Sequence, residues 1–299
     1  MTNPLLALLD AWSRRAIGAN QTNAAPATRR ATVITGASEG IGLALARRFA
    51  RAGDTVVLVA RREALIATAA ATIAREFGTQ AVALAIDVNR PDAAATIEAA
   101  LTQRGLHAEV LINNAGFGLS GAFAEMPAAD IDALISCNIT ALTRMSRHFL
   151  PGMVARGSGG LINVASVAGF TPGPYQAAYY ASKAYVISLT KAIACEVEGL
   201  GVRVCAVAPG PVDTRFHARM NADTSFYRYL IPSPSSETVA AAAYRGFRWH
   251  RLLVVPGISA KLLALTVRLV PSYFSVPVVG LLLFPRTQGP AQGQPDQKH

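Results

Sequence analysis

The sequence predicts an α/β chain built on a doubly wound parallel sheet of seven strands with helices on both faces. Three observations carry this reading. Seven short runs are rich in Val, Ile and Leu, helical patterns fall between them, and a glycine-rich turn directly follows the first run. The runs are 31–35, 55–60, 81–86, 109–113, 160–165, 202–208 and 251–255, and the Ala-rich stretch 63–77 (EALIATAAATIAREF) is one of the helical intervals. Strands covered on both faces read as near-continuous apolar runs, and right-handed crossovers then give the doubly wound arrangement.

Composition bounds the function. The 299 residues are 52% hydrophobic and only 15% charged, enough for a sizeable core, with a formal net charge of +10. That balance suits nucleic acid, an anionic membrane surface or a phosphate-rich ligand. Nucleic acid is the weakest of these, because the arginine pairs at 14–15, 29–30, 47–48 and 61–62 are scattered and no zinc-finger or RNA-binding signature occurs. Cys137, Cys195 and Cys205 form no C-x-x-C pair and lie in apolar surroundings, so buried reduced thiols in a cytoplasmic protein are expected. The five histidines have no metal-ligand spacing and no metal site is expected.

The chain divides at composition shifts. Residues 1–30 place Leu5, Leu8, Leu9, Trp12 and Ala16 on one helical face and then run into a linker, GANQTNAAPAT. This segment is read as a helix docked on the body or bound to a membrane or partner; a cleaved secretion signal is not expected. Residues 31–256 carry the alternating pattern. Residues 257–286 form an apolar extension with Lys261, Arg268 and Arg286. Its uncharged run 269–285 holds 17 residues and prolines at 271, 277 and 285. That is short of the roughly 20 a membrane-spanning helix needs. Residues 287–299 are polar and rich in Gly, Pro and Gln, the composition of a disordered tail.

The first strand, turn and helix read ATVITGASEGIGLALARRFA, with glycines at 36, 40 and 42. In a Rossmann-type sheet such glycines allow a tight turn, close approach of the backbone to a pyrophosphate and close helix–strand packing, while the helix N-terminus offers unpaired N–H groups. The spacing is G-x-x-x-G-x-G, not the general G-x-G-x-x-G. An acid at the end of the second strand would bind the ribose hydroxyls of NAD. Here Ala60, Arg61 and Arg62 stand there instead, so NADP is preferred, with Arg61 as the contact for the 2′-phosphate and NAD as the alternative. Glu39, inside the turn, argues the other way.

Four further pieces follow in order: NNAG (Asn113–Gly116), Asn138 within ISCNITAL, Ser166 after the fifth strand, and the Y-x-x-x-K pair Tyr179 and Lys183, 13 and 17 residues beyond that serine. Residues four apart on a helix share a face, so Tyr179 stacks beside Lys183 while Tyr180 turns away to pack. A free phenol, with a pKa near 10, is a poor base at neutral pH, and a nearby ammonium favours the phenolate. Tyr179 is thus the candidate acid/base, and Ser166 the group that holds the substrate oxygen.

With TGASEGIG and the later PGPVDT (209–214), these motifs resemble the short-chain dehydrogenase/reductase family over about 31–256. The resemblance implies hydride transfer between a nicotinamide cofactor and a carbonyl or alcohol. It implies that Lys183 also holds the nicotinamide ribose and that Asn138 anchors a water relaying protons to Lys183. By matching position, Gly36, Ser38, Gly40, Ile41 and Gly42 face the phosphates. Asp87 and Val88 border the adenine, Asn114, Ala115 and Gly116 follow the ribose and diphosphate, and Pro209, Gly210, Val212 and Thr214 face the nicotinamide amide. The family also implies a homo-oligomer.

The expected substrate walls are Phe117, Ser120, Phe170, Pro172, Pro174, Tyr175 and the aromatic segment 215–232, read as a lid. They suggest an apolar substrate: by analogy, a 3-oxoacyl chain, a steroid-like ketone or another lipid-like ketone. The extension is expected to cover the pocket, build a subunit interface or touch an anionic membrane. The alternative from another class is a membrane-associated binding or scaffolding protein that keeps the fold without turnover.

Overall fold

The computed structural model of the protein describes residues 28–212 and 233–284. The N-terminal amphipathic segment, Thr214, the segment 215–232, Arg286 and the polar tail lie outside the described residues.

Seven parallel strands form one sheet in the order β3-β2-β1-β4-β5-β6-β7. They are β1 (Arg29–Thr35), β2 (Thr55–Ala60), β3 (Ala81–Ala85), β4 (Leu106–Asn113), β5 (Gly159–Val164), β6 (Val202–Val207) and β7 (Leu253–Val254). The last is only two residues long, paired through Ala206↔Leu253 and Val207↔Val254, against the five expected. The helices are α1 (Gly40–Arg51), α2 (Glu63–Phe77), α3 (Ala93–Thr102), α4 (Ala128–Ile135), α5 (Leu142–Arg156), α6 (Ala177–Glu196), α7 (Ser236–Arg248), α8 (Ile258–Leu269) and α9 (Ser272–Leu283).

Strand alternation makes two cores. Ile34, Val56, Leu58, Ile112 and Ile162 pack with Phe49, Ile66, Ile73, Val239 and Phe247 of α1, α2 and α7. Their neighbours Val33, Val57, Val59, Leu111 and Leu161 face the other way, onto Ile97, Leu101, Met145, Phe149, Met153 and Ile193 of α3, α5 and α6. Because successive side chains point to opposite faces, both must be apolar, and this is why the strands read as unbroken apolar runs. A buried polar ladder crosses the second core. Asn113 Nδ2 donates to Ser146 Oγ and Asn163 Oδ1, both at 2.9 Å, and Asn163 Nδ2 donates to Thr190 Oγ1 at 3.0 Å. It ties β4 and β5 to α5 and α6, and Asn113, the first residue of the NNAG motif, belongs to it.

The strand order reverses between β1 and β4, and the crevice at their C-terminal ends is where open α/β sheets bind ligands. Two features extend over that end. A π-helical turn, Ser136–Ala141, joins α4 to α5. Pro271 separates α8 from α9, which fold over the crevice, and α9 accommodates Pro277 inside it. Among the described residues no helix is long and apolar enough to cross a membrane.

Candidate active site

Glycine geometry at the crevice meets the demand for close backbone approach. Gly36 has a φ of +66°, and a Cβ there would lie 2.9 Å from the Cα of Ala115. At Gly42 a Cβ would lie 2.3 Å from the Gly36 carbonyl oxygen. The turn is stitched to the end of β4. Asn114 Nδ2 donates to the carbonyls of Thr35 and Gly36 at 3.0 and 3.2 Å, and the N–H groups of Asn114 and Ala115 donate to Thr35 Oγ1. Helix α1 starts at Gly40 with no side-chain cap, so its first-turn N–H groups face the crevice without an intrahelical partner.

Arg62, the N-cap residue of α2, reaches back to the glycine turn. Its guanidinium donates to Ser38 Oγ at 2.9 Å and to Glu39 Oε1 at 2.6 Å. Glu39, which argued against a phosphate, is therefore neutralised within the glycine turn itself. Arg61 lines the same cavity and its side chain makes no hydrogen bond or ion pair among the described residues. Asp87, Val88 and Asn89 continue this end of the cavity, with the Asn89 N–H donating to Asp87 Oδ1 at 3.0 Å.

At the other end stand Ser166, Tyr179 and Lys183, all of them buried and all on the wall of one cavity of about 890 Å³. Lys183 Nζ lies 5.7 Å from the Tyr179 ring centroid and donates to the Val164 carbonyl at 3.0 Å. Burial pushes the Lys183 ammonium down to about 8, partly opposed by Cys137 nearby. Ser166 Oγ accepts from the Ala168 N–H at 3.2 Å and donates to the Pro209 carbonyl at 3.4 Å. These bonds fix it at the mouth of β5.

Asn138 sits on the π-helical turn with its side chain fully engaged. Its Oδ1 accepts from the Phe117 N–H at 3.0 Å, and its Nδ2 donates to the Phe117 carbonyl and to Ser182 Oγ. The side chain therefore clamps the strand end to α6. A Cβ at Gly116 would lie 2.9 Å from Asn138 Oδ1 and 3.7 Å from Lys183 Nζ, so only glycine lets the chain pass between them.

The cavity brings together Gly36, Ser38, Gly40, Ile41, Arg61, Asp87, Val88, Asn114, Ala115, Gly116, Ser166, Tyr179, Lys183, Pro209, Gly210 and Val212. Gly42 and Asn138 stand behind that wall, holding it. Several expected substrate walls are elsewhere. Phe170 stacks under the Arg268 guanidinium at 4.2 Å, Pro174 packs on Gly280, and the Tyr175 ring meets Phe284 edge-on at 5.2 Å. They carry the extension, whose inner face closes the cavity with Leu263, Val267, Val279, Leu282 and Leu283. Ser120 is not on the wall either. Tyr180, expected to turn away, reaches the cavity, with its ring 6.1 Å from that of Tyr179. Cys137 is half-buried on the cavity wall and Cys195 is exposed, so only Cys205 is the fully buried thiol expected of all three. The places of Phe170, Pro174 and Tyr175 had no signal in the linear pattern, because they depend on how the extension folds back.

A glycine-lined crevice and a buried tyrosine–lysine–serine set thus share one cavity. The chain belongs to the short-chain dehydrogenase family, whose model matches residues 30–225. It is 36% identical over 199 residues to the ketoacyl reductase HetN of Nostoc sp., spanning 64% of this chain and 69% of that protein. A very-long-chain 3-oxoacyl-CoA reductase of Anas platyrhynchos is 34% identical over 244 residues, 80% of this chain and 74% of the other. Among solved structures, a short-chain dehydrogenase from Sphingobium yanoikuyae in complex with NADPH is similar, with 36% identity and a TM-score of 0.71. The match covers 79% of this chain and 92% of that one.

Proposed function

We propose that the protein is an NADPH-dependent reductase of apolar ketones, with 3-oxoacyl chains as the favoured class. The observation that carries this is the single cavity that joins the phosphate cradle, the Ser166–Tyr179–Lys183 set and an apolar roof from the extension. A bound nicotinamide cofactor supplies the hydride. The residues do the rest. Ser166 Oγ hydrogen-bonds the substrate oxygen, Tyr179 gives that oxygen its proton, and the Lys183 ammonium stabilises the phenolate left behind. Asn138 keeps Gly116 and Ser182, and through them Lys183, in register. Leu263, Val267, Val279, Leu282 and Leu283 exclude water and favour a long apolar chain. The reductases of oxoacyl substrates among the relatives support the class of substrate. The test is NADPH oxidation with 3-oxoacyl thioesters of increasing chain length; activity rising with length is expected, and none with any ketone would remove the reading.

NADPH preference is read from Arg61. The Arg62–Glu39 pair neutralises the negative charge of the glycine turn that would oppose a 2′-phosphate and leaves Arg61 to bind it. Arg61→Ala is expected to weaken NADPH binding by about 10–100-fold, the scale of a lost charge-assisted pair. NADH binding should change far less. Equal weakening of both cofactors, measured by fluorescence titration, would remove the assignment.

The outer face of the extension supports peripheral membrane contact. Ile258, Leu262, Leu265, Leu269, Tyr273, Phe274, Val278 and Leu281 are all exposed on α8 and α9. Apolar patches larger than a few hundred Å² are rare on soluble monomers. No Asp or Glu occurs from Thr238 to Pro295, while Lys261 and Arg268 stand on α8 itself, so an anionic bilayer surface suits this face. The full chain is expected to sediment with vesicles containing anionic lipid and not with neutral ones, and Leu262→Asp with Leu281→Asp to abolish this. A dimer that dissociates in the double variant, with no vesicle binding by the wild type, would show the face to be a subunit interface.

A further inference from the structure

Helices α8 and α9 are apolar on two sides at once. Inward, Leu263, Val267, Val279, Leu282 and Leu283 close the cavity. Outward, Leu262, Leu265 and Leu269 of α8 and Phe274, Val278 and Leu281 of α9 are exposed. Both outer rows follow the three- and four-residue steps of one helical face. A helix that only covers a core turns a polar face to water. Helix α9 has no charged residue, and α8 carries only the basic Lys261 and Arg268. Lys261 is exposed, four residues before Leu265 and on the same face, while Arg268 stacks over Phe170.

The pair rests on loops that carry the site. Phe170, under Arg268, ends the one-turn helix that follows Ser166. A Cβ at Gly210, after β6, would lie 3.2 Å from the Ala260 Cβ, and Gly280 and Phe284 pack on Pro174 and Tyr175, just ahead of α6. The chain enters α8 at Gly257, whose φ of +86° suits glycine, and turns at Pro271 into α9. A helix with its side chains is about 10 Å across, so one helix thickness separates the cavity from the outer rows. An amphipathic helix on a bilayer sinks about 5–10 Å into the boundary between headgroups and acyl chains. Seated that way, α8 and α9 bring the cavity level with the acyl region.

We propose that the acyl substrate enters the cavity from the lipid phase, through the roof made by α8 and α9, when their outer face lies on an anionic bilayer. This rests on the reductase and membrane-contact readings above and deepens both: the substrate is a 3-oxoacyl amphiphile that partitions into the bilayer. The reason for an apolar surface on both sides of the roof is then physical. Every methylene exposed to water is costly, so a long acyl chain is scarce in the aqueous phase. A chain that passes from lipid to Leu263, Val267, Val279 and Leu282 exchanges one apolar environment for another and never crosses water. Lys261, beside the outer row, faces the anionic headgroups that hold the roof in place.

The experiment follows NADPH oxidation with a long-chain 3-oxoacyl N-acetylcysteamine thioester and with its short, water-soluble homologue. Each is measured with neutral phosphatidylcholine vesicles and with vesicles containing anionic lipid. For the long chain, the rate with anionic vesicles is expected to exceed that with neutral ones by about ten-fold, because enzyme and substrate then share one surface. The short homologue should show no such difference. Equal long-chain rates in the two vesicles, with the protein sedimenting only with the anionic ones, overturn the lipid route and leave the membrane contact standing. A wild type that oxidises NADPH with neither thioester overturns the reductase reading, and this proposal with it. A disulfide separates entry through the roof from simple tethering. A Cβ at residue 280 would lie 3.4 Å from that of Pro174, near the roughly 3.8 Å of a disulfide. Pro174→Cys with Gly280→Cys therefore ties α9 to the turn before α6. In its oxidised form the long-chain advantage of anionic vesicles should vanish, and it should return on reduction. An advantage retained in the oxidised form overturns entry through the roof.

Discussion

Replacing Tyr179 by phenylalanine is expected to slow ketone reduction by about 10²–10⁴-fold, the usual contribution of a positioned acid/base. The fold and the cofactor site should stay intact. The substitution removes one oxygen from a buried ring that packs with Leu134 and Ala168, so the apolar contacts survive. What disappears is the proton donor beside Lys183, whose ammonium lies 5.7 Å from the ring. The neighbouring Tyr180 supplies an internal control. It also reaches the cavity and touches Tyr179 edge-on, so a reader of the structure alone has two phenols to choose from. The choice rests on helical geometry: Tyr179 and Lys183 are four residues apart on α6 and share a face, whereas Tyr180 is rotated by about 100°. The Tyr180 ring instead covers Gly173, where a Cβ would lie 2.4 Å from it. Tyr180→Phe should therefore change kcat/KM only slightly. Steady-state rates of the two variants decide it, and a larger loss in Tyr180→Phe than in Tyr179→Phe would transfer the acid/base role to the other ring.

How far the sequence led depends on which interactions are local. Strands β1, β2 and β6 and helix α2 were legible because burial on both faces or a helical period writes itself into consecutive residues. Gly36, Ser166, Tyr179 and Lys183 were legible for a related reason: the turn and the helix fix their spacing along the chain. What escaped joins distant segments. The Arg62–Glu39 pair spans 23 residues and depends on β2 ending beside the glycine turn. Phe170, Pro174 and Tyr175 have the composition of a substrate wall, and their use as the seat of α8 and α9 follows only from the fold-back after Gly257. β7 is shorter than its apolar run: only Leu253 and Val254 are in register with β6, held by the Ala206 N–H donating to the Leu252 carbonyl and the Ala208 N–H to the Val254 carbonyl.

Lys183→Met is expected to abolish activity and yet to make the protein more stable at pH 7. The lysine is buried, and burial pushes its ammonium down to about 8 from an ordinary value of 10.5. Between those two values the folded chain binds fewer protons than the unfolded one, so the lysine's penalty is relieved as pH rises from 8 towards 10.5 and is fully present below 8. At 1.36 kcal/mol per unit, that penalty is about 3 kcal/mol. Methionine has nearly the same length and no charge, and removes it. The offset is the Val164 carbonyl, which loses its 3.0 Å donor and is left buried at a cost of about 1–3 kcal/mol. A net gain of up to about 2 kcal/mol at pH 7 is expected, shrinking and then reversing as pH approaches 10, because only the wild type gains stability over that interval. Denaturant titrations of both chains at pH 7 and pH 10 measure the gap; a variant less stable at pH 7, by the same amount at both pH values, would show that the ammonium is not held at a penalty. The direction of the effect bears on function. A charge kept in the interior against its own solvation marks a functional-site candidate, and the ring beside it is that of Tyr179.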